Sequence, residues 1–242
     1  NSRVQALRAL GRNKAYRREQ GLFLCDGEKL LSEALANGAD IAEIYLRGAK
    51  PAGNMPEVPV YSLSEDVFDY ASPLEHSPGP LFTVRAKPLP ESVRPDRVIV
   101  LENVQDPGNV GTILRTLDAA GFDGCILTPG CADPFAPKTM RATMGSLFRV
   151  PMTFVENSAE AARWLRTNGW AVIGAELRGQ PFYQRGNRPD KLCVLIGNEG
   201  AGLTEEILAQ CSFRYKLPMR GGAESLNAGI AAAVMMYDLM NR

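Results

Sequence analysis

The sequence predicts an α/β protein in which a parallel sheet, with helices on both faces, follows a smaller α/β module. Three observations support this prediction. From residue 97 onward, short apolar segments alternate with segments of helical periodicity, the order that produces parallel sheets. Pro88, Pro90 and Pro95 separate this region from the first ninety residues. The 242 residues, 45% hydrophobic and 22% charged, suffice for two modest globular domains.

The first ninety residues are predicted to combine helices with short strands. Apolar residues recur at helical spacing after Gly27 and stop at Gly38, which indicates a helix between these glycines. The expected strands lie at residues 22–25, 41–46, 58–61 and 81–85. The expected helices lie near residues 3–19, 27–37 and 64–71. We predict one domain over residues 1–90 and a linker over residues 91–96.

Beyond the linker, we predict a second domain over residues 97–242. Its expected strands lie at residues 97–101, 124–127, 152–155, 170–175, 191–196 and 213–217. Its expected helices lie at residues 110–120, 138–144, 158–167, 204–209 and 226–241. Ligands of parallel sheets bind at the carboxyl ends of the strands. The loops that follow these strands are therefore the places where a functional site is expected.

Composition excludes several classes of function. Because His76 is the single histidine, a zinc site built from histidines cannot form, and we expect no metal. The five cysteines include no CxxC pair, which indicates reduced thiols in a cytoplasmic protein rather than a disulfide scaffold. No apolar run approaches the ~18–20 residues of a membrane span, and the first residues do not resemble a signal peptide. We therefore expect no membrane partner.

Charge is distributed unevenly although the formal net charge is zero. Residues 1–20 carry six basic side chains and one acidic side chain, a net charge of +5. A basic segment on a neutral protein favours a polyanionic partner such as nucleic acid. The alternative is the solvated face of an amphipathic helix. A second basic cluster consists of Lys138, Arg141 and Arg149.

The first loop of interest joins the strand at residues 97–101 to the next helix. After Pro107 and Gly108 comes Asn109, a residue type that caps helix N-termini, and we predict Asn109 as the N-cap. In that helix Arg115 lies opposite the apolar stripe, and helical side chains lean towards the N-terminus. Arg115 can therefore point at the strand ends. The alternative is an ordinary surface arginine.

The second and third loops contain clustered glycines and polar residues. Residues 197–203 follow an apolar strand and include three glycines, which allow a ligand to approach the backbone, although a plain turn can have the same composition. They match neither the phosphate-binding GxxxxGKS/T pattern nor GxGxxG. The third loop, residues 217–227, leads into a last helix that is apolar on both faces. Such a helix is buried all round, either inside the protein or at a subunit interface.

Together and in this order, the loops resemble the three motifs of the SpoU (TrmH-like) branch of the SPOUT RNA methyltransferases. The motifs correspond to residues 109–115, reading NVGTILR, 197–203, reading GNEGAGL, and 218–227, with PM and ESLN at its ends. Residues 1–90 resemble the RNA-substrate-binding module, similar to a ribosomal protein, that precedes the catalytic domain in many members. Gly21, Leu22, Phe23, Glu28 and Leu35 fall where that module shows them.

This resemblance implies a trefoil knot in the C-terminal part of the sheet, S-adenosylmethionine as the cofactor and a homodimer formed through the C-terminal domain. The implied reaction is methyl transfer to a ribose 2′-hydroxyl of RNA, with ribosomal RNA preferred over tRNA. The implied cofactor-binding residues are Ile196, Gly197, Leu217, Met219, Leu226 and Asn227. The implied catalytic residues are Asn109, Arg115, Glu199, Ser225 and Asn227.

The resemblance also implies individual roles. Arg115 corresponds to the arginine proposed as the base in relatives, but arginine rarely loses its proton. Arg115 is therefore also expected to bind an RNA phosphate and stabilise a developing alkoxide. Asn109 would position the ribose or Arg115, and Glu199 would orient Arg115. RNA contacts are expected from Arg3, Arg12, Lys14, Arg17, Arg18 and Arg141.

Three alternatives stay open from the sequence. One is a tRNA 2′-O-methyltransferase with the same chemistry. Another is a methylation-inactive RNA-binding protein of the same fold, which the intact motif residues disfavour. A third is an enzyme that binds a small nucleotide, which the missing phosphate loop and the basic first helix disfavour.

Overall fold

The computed structural model describes residues 2–48, 57–86, 96–187 and 189–240. It divides into two compact units. The first comprises residues 1–87 and 133–149, and the second comprises residues 88–132 and 150–242. Of the predicted linker over residues 91–96, only Asp96 lies within the described residues. The domain boundaries at residues 90 and 97 remain predictions, and the structural division differs from them by assigning residues 133–149 to the first unit.

Every predicted helix and strand has a counterpart in the structure. The helices are α1 (Ser2–Arg12), α2 (Lys14–Gln20), α3 (Glu28–Ala36), α4 (Glu65–Ala71), α5 (Pro107–Ala119), α6 (Pro137–Thr143), α7 (Ser158–Thr167), α8 (Glu205–Leu208) and α9 (Ala228–Met240). The strands are β1 (Leu22–Asp26), β2 (Ile41–Arg47), β3 (Val60–Leu63), β4 (Leu81–Arg85), β5 (Arg97–Leu101), β6 (Gly124–Leu127), β7 (Met152–Phe154), β8 (Ala171–Pro181), β9 (Leu192–Ile196) and β10 (Phe213–Lys216).

A four-stranded sheet in the order β1–β4–β2–β3 forms the centre of the first unit. Only the β2–β3 pair is parallel. Helix α1 covers the sheet with Leu7 and Leu10, which are buried in one cluster with Tyr45 and Phe68. The amphipathic pattern of the first helix therefore serves the core of this unit and leaves its basic side chains outside.

The basic start of the chain forms two helices, so the single helix predicted near residues 3–19 is wrong. Asn13 separates α1 from α2 because its side-chain oxygen accepts a hydrogen bond from the backbone N–H of Tyr16 at 3.1 Å. Asparagine side chains compete with the helix backbone for such bonds, which favours a helix start over a helix interior.

Arg17, on α2, is buried inside the first unit. Its guanidinium donates to the carboxylate of Asp133 at 2.6 and 2.8 Å and to the backbone oxygen of Leu10 at 2.6 Å. The structure therefore corrects the expectation that Arg17 contacts RNA, because its donors are used within the protein. Nearby, Phe23 of β1 stacks on Phe135 with ring centroids 4.6 Å apart. These contacts hold the segment 133–149 against β1 and α2.

The second unit is built on six parallel strands in the order β10–β8–β9–β5–β6–β7. Every residue of β9 is buried, as expected for a central strand covered on both faces. On one face, Val98 and Val100 of β5 pack with Leu165 of α7 and Ile207 of α8. Helices α5 and α9 contact each other, and they also contact β6 and β9, respectively. The predicted α/β class with a parallel sheet is confirmed, while the trefoil knot remains a prediction.

Strand β8 is longer than the strand predicted at residues 170–175. It continues to Pro181 and pairs with β10 along two stretches, with a register shift between Arg214 and Tyr215. Gly179 permits this close pairing, because a Cβ atom there would lie 2.6 Å from the backbone carbon of Arg214. The second half of β8 is polar, so apolar patterning did not predict it.

The last helix is only partly buried in the single chain. The residues of α9 that are buried are Gly229, Ala232, Met235, Met236 and Leu239. On another side of α9, Ile230 and Tyr237 are 49% and 45% exposed. The predicted burial of both faces of the last helix is therefore not found within one chain. An exposed apolar helix face is typical of an interaction surface.

Among the described helices, none has the length and apolar character needed to cross a membrane.

Candidate active site

A cavity of about 350 Å³, within the size range of small-molecule sites, lies at the carboxyl ends of β9 and β10 and beside residues 175–178 in the middle of β8. The predicted cofactor residues that line it are Ile196, Gly197, Leu217, Met219 and Leu226. The sixth, Asn227, follows Leu226 in the chain but is not part of the lining. The structure thus brings the second and third predicted loops to one cavity, as parallel-sheet topology requires.

Asn198 gives the glycine loop, residues 197–203, its closed shape. Its backbone pairs with that of Gly202 through two hydrogen bonds of 3.0 and 2.9 Å. Its side-chain oxygen accepts from the backbone N–H groups of Gly200 and Ala201, and its amide donates to the backbone oxygen of Asn103 at 2.9 Å. The loop is therefore held to itself and to the residues that follow β5.

Gly197 lies where the two ends of the glycine loop meet. A Cβ atom at this position would be 2.3 Å from the backbone carbon of Gly202 and 2.4 Å from the backbone nitrogen of Leu203. Neither backbone atom can rotate away, so any side chain must open the loop.

The sequence resemblance implies S-adenosylmethionine as the cofactor, and S-adenosylhomocysteine is the product left after methyl transfer. We expect Gly197→Ala to weaken binding of S-adenosylhomocysteine by at least about ten-fold, because the widened loop no longer matches the cavity. Gly200→Ala is the matched control, since its Cβ would meet only the side-chain oxygen of Asn198, at 3.7 Å. Isothermal titration calorimetry measures both variants. Equal affinities for the two variants would contradict the role given to Gly197.

The N-terminus of α5 differs from the prediction. Asp106, not Asn109, is the N-cap: its side chain accepts from the backbone N–H of Asn109 at 2.9 Å, and Pro107 occupies the first helical turn. Proline is favoured there because its missing N–H would have no helical partner. The helix therefore begins one turn earlier, and the side chain of Asn109 is left available for other contacts.

Asn109 links Glu199 of the glycine loop to Asn227 of the third loop. Its amide nitrogen donates to Glu199 at 3.0 Å, and its oxygen accepts from the amide of Asn227 at 2.8 Å. The oxygen of Asn227 in turn accepts from the backbone N–H of Ile230 at the start of α9. All three predicted motifs thus meet in one hydrogen-bonded chain, which we call the Glu199–Asn109–Asn227 chain.

The Glu199 carboxylate also accepts from the backbone N–H groups of Gln105 and Asp106, at 3.1 and 3.0 Å. Partial burial raises the pKa of Glu199, but the hydrogen bonds from Asn109, Asp106 and Gln105 outweigh it and hold this pKa below its ordinary value. Glu199 is therefore an ionised acceptor that fixes the N-terminus of α5. The expectation that Glu199 orients Arg115 is not met, because its hydrogen-bond partners are these three N–H groups.

Arg115 and Ser225 occupy different surroundings. Ser225 lies in the third loop and lines the cavity. Arg115 is exposed on α5, and within the described part of the chain it makes no hydrogen bond or ion pair. Arg115 is thus the one predicted catalytic residue that lies outside both the cavity lining and the Glu199–Asn109–Asn227 chain.

The predicted RNA-binding residues other than Arg17 lie on the surface of the first unit. Arg3 packs over the ring of Tyr61 at 4.1 Å and pairs with Glu43 at 3.7 Å. Arg3, Arg12, Arg18 and Arg141 are exposed, and Lys14 is half-buried. These side chains place basic groups at the surface of the first unit.

Sequence reasoning missed three residues that shape the site: Glu102, Asp106 and Asn198. An Asp directly before a Pro is a helix-start pattern, and an Asn before Glu–Gly favours side-chain turns, so two of the three had a local indication. Glu102 had none, because its partners come from distant segments.

In the part of the chain that the structure describes, no cluster of His, Cys, Asp or Glu side chains could hold a metal ion.

The fold and the cavity place the chain among α/β proteins that bind a small molecule at the carboxyl edge of a parallel sheet. More particularly, the chain belongs to the SpoU rRNA methylase family, which matches residues 96–237. Residues 1–81 match the MRM3-like substrate binding domain. The resemblance inferred from the three motifs and the N-terminal module is thereby confirmed.

Relatives of known name or structure are similar over nearly the whole chain. A 23S rRNA (guanosine(2553)-2′-O)-methyltransferase, RlmP, from Bacillus subtilis is 34% identical, covering 93% of this chain and 91% of the relative. The crystal structure of an rRNA methyltransferase from Sinorhizobium meliloti bound to AdoMet (S-adenosylmethionine) has a TM-score of 0.86 and is 30% identical. The match covers 99% of this chain and 94% of that structure. The SpoU methyltransferase AviRb from Streptomyces viridochromogenes, in complex with AdoMet, has a TM-score of 0.87 and 27% identity, covering 99% and 97%.

Proposed function

We propose that this protein transfers a methyl group from S-adenosylmethionine to a ribose 2′-hydroxyl of ribosomal RNA. The observation that carries the proposal is the Glu199–Asn109–Asn227 chain, which joins all three family motifs beside the cavity. The RlmP relative supports ribosomal RNA and the 2′-hydroxyl as the substrate. The two AdoMet-bound neighbours support the cofactor.

The cavity fits S-adenosylmethionine by size and by chemistry. Ile196, Leu217 and Leu226 give part of its lining an apolar surface, which suits an adenine ring. Gly197 exposes backbone in the lining, where a side chain would collide with Gly202, so backbone groups can approach a ligand closely. We propose that Ile196, Gly197, Leu217, Met219 and Leu226 hold the cofactor.

S-adenosylmethionine supplies an activated methyl group on its sulfonium, so the protein has to align the 2′-hydroxyl and manage one proton. We propose that Asn109 and Asn227 fix the third loop against α5, with Glu199 holding them in place. Ser225, at the cavity, is proposed to contact the incoming ribose. Arg115, exposed and cationic, is proposed to bind an RNA phosphate and stabilise the developing alkoxide, and the hydroxyl proton is proposed to pass to solvent water rather than to Arg115.

Several wider assignments belong to the same proposal. The first unit is proposed to bind RNA through Arg3, Arg12, Lys14, Arg18 and Arg141, while Arg17 holds the segment 133–149. A homodimer through the second unit is supported by the exposed apolar residues Ile230 and Tyr237 on α9. The trefoil knot is supported by family membership. Cytoplasmic location is supported by five free cysteines.

The test uses full-length protein, S-adenosylmethionine labelled in the methyl group and, separately, unmodified rRNA and tRNA. We expect label in a 2′-O-methyl nucleoside of rRNA, and Arg115→Ala is expected to lower this incorporation by about 100-fold while leaving S-adenosylhomocysteine affinity unchanged. Arg163→Ala, which removes an exposed arginine of α7 that is not among the proposed RNA contacts, is the control for loss of a single exposed cation. Label confined to tRNA would correct the substrate, and label on a base would contradict the ribose chemistry. Cofactor binding with no transfer to either RNA would favour a methylation-inactive RNA-binding protein.

A further inference from the structure

Glu102 is a buried carboxylate directly after β5, and only 4% of the residue is exposed. One of its oxygens accepts hydrogen bonds from the hydroxyls of Ser158 at 2.6 Å and Thr204 at 2.9 Å. The other accepts from the backbone N–H of Thr204 at 2.8 Å. All three donors are neutral, and in the described part of the chain Glu102 forms no ion pair.

Burying a carboxylate without a cation is unfavourable unless its oxygens are well satisfied, and apolar residues of similar size often give equal or greater stability. Stability alone therefore does not account for an acidic side chain here. The three donors come from two segments that are distant in sequence, so Glu102 holds these two segments in a fixed position relative to the end of β5. Ser158 starts α7, and Thr204 is the N-cap of α8.

Thr204 directly follows the glycine loop, so Glu102 fixes the loop's downstream end. The upstream end is fixed by the next residue after β5, since the backbone oxygen of Asn103 accepts from the amide of Asn198. Two consecutive residues at the end of β5 thus hold both ends of residues 197–203. The fixed loop carries Glu199, which holds Asn109, and it forms part of the cavity lining.

We propose that Glu102 is a positioning residue that sets the place of the glycine loop and thereby the affinity for the cofactor. The inference rests on the proposed function only in its last step, where the loop binds S-adenosylmethionine. Its first step concerns the order of the loop and holds without any ligand. Ser158 binds the same carboxylate but belongs to α7, which contributes no residue to the cavity lining.

The test compares Glu102→Ala with Ser158→Ala in the full chain. Amide hydrogen exchange without cofactor is expected to rise at Gly200, Ala201 and Gly202 in Glu102→Ala and to stay at the wild-type rate in Ser158→Ala. S-adenosylhomocysteine binding, measured by calorimetry, is expected to weaken by about ten-fold in Glu102→Ala and to change little in Ser158→Ala. Glu102→Gln should restore most of the affinity, because its oxygen can face the Thr204 N–H while both hydroxyls turn to accept from its amide.

The outcomes distinguish positioning of the glycine loop from a general loss of stability. Equal effects of Glu102→Ala and Ser158→Ala on exchange in the loop, in proportion to their loss of thermal stability, would overturn the proposal. If Glu102→Ala does not fold, Glu102→Asp provides the comparison with Ser158→Ala, because a carboxylate withdrawn by one methylene cannot reach both Ser158 and Thr204. Loop exchange that responds as expected in a protein that does not bind S-adenosylhomocysteine would leave the positioning role intact and contradict the proposed function.

Discussion

Replacing Glu199 with alanine is expected to lower methyl transfer by about 100-fold. The carboxylate accepts from three N–H groups, two on the backbone of Gln105 and Asp106 and one on the side chain of Asn109. Alanine would leave all three without this acceptor at the start of α5. Asn109 would then be free to rotate away from Asn227, and the third loop would lose its link to the first.

The Glu199 prediction is checked by single-turnover methyl transfer to rRNA at saturating cofactor. Glu205→Ala is the matched control, because Glu205 also lines the cavity but is not part of the Glu199–Asn109–Asn227 chain, and it should retain nearly the wild-type rate. Glu199→Gln should fall between the two, since one amide oxygen replaces two carboxylate oxygens. If Glu199→Ala transferred the methyl group as fast as Glu205→Ala, the role given to Glu199 would be contradicted.

The same interaction has a predicted pH dependence. The hydrogen bonds lower the pKa of Glu199 in the folded protein, so ionised Glu199 stabilises the fold at any pH above the ordinary carboxyl pKa. This contribution is lost as the pH falls through the lowered pKa of the folded state. The difference in thermal stability between wild type and Glu199→Gln should therefore be constant near neutral pH and shrink only in acid.

Arg17→Ala is expected to lower the free energy of unfolding by about 3–5 kcal/mol, the usual effect of removing one partner of a buried ion pair. The side chains of Arg17 and Asp133 are only 6% and 9% exposed. Without the guanidinium, Asp133 would keep a buried charge with no cation, and the backbone oxygen of Leu10 would lose a donor. The segment 133–149 would lose its main polar attachment to α2.

Urea unfolding of the full chain measures the effect of Arg17→Ala. The control is Arg12→Ala, which removes an exposed arginine of the same basic segment and should change stability by less than about 0.5 kcal/mol. Combining Arg17→Met with Asp133→Leu should recover most of the loss, because no charge is then left buried alone. A single Arg17→Ala variant as stable as Arg12→Ala would show that the pair contributes nothing to the fold.

Most of the fold was predictable because it follows from local patterns. Apolar runs such as residues 192–196 and the helical stripe of α5 are visible in the sequence whatever surrounds them. Two of the differences arose where apolar periodicity gives no indication. Asn13 divides a continuous amphipathic pattern through one side-chain hydrogen bond, and the polar second half of β8 is a strand because β10 pairs with it.

Residue types at the site were predictable, but their partners were not. The three loops identified Asn109, Glu199 and Asn227 as site residues, and the structure joins them. The predicted pairing of Glu199 with Arg115 failed because the earlier start of α5 presents Asn109 and two backbone N–H groups to the carboxylate. In the sequence, nothing distinguishes Arg17 from the neighbouring basic residues that the structure leaves exposed. Arg17 is buried because it pairs with Asp133, which is 116 residues away.

By itself, the sequence determined the α/β class, the order of the elements, the basic N-terminal segment and the three loops, because periodicity, turn residues and charge are local properties. Tertiary structure alone decided which cations are in solvent, which carboxylate fixes which loop, and that Glu102 lies at the centre of the glycine loop's attachment. Hydrogen bonds and ion pairs depend on distances of about 3 Å between atoms. Such distances are set only when segments far apart in the chain pack together.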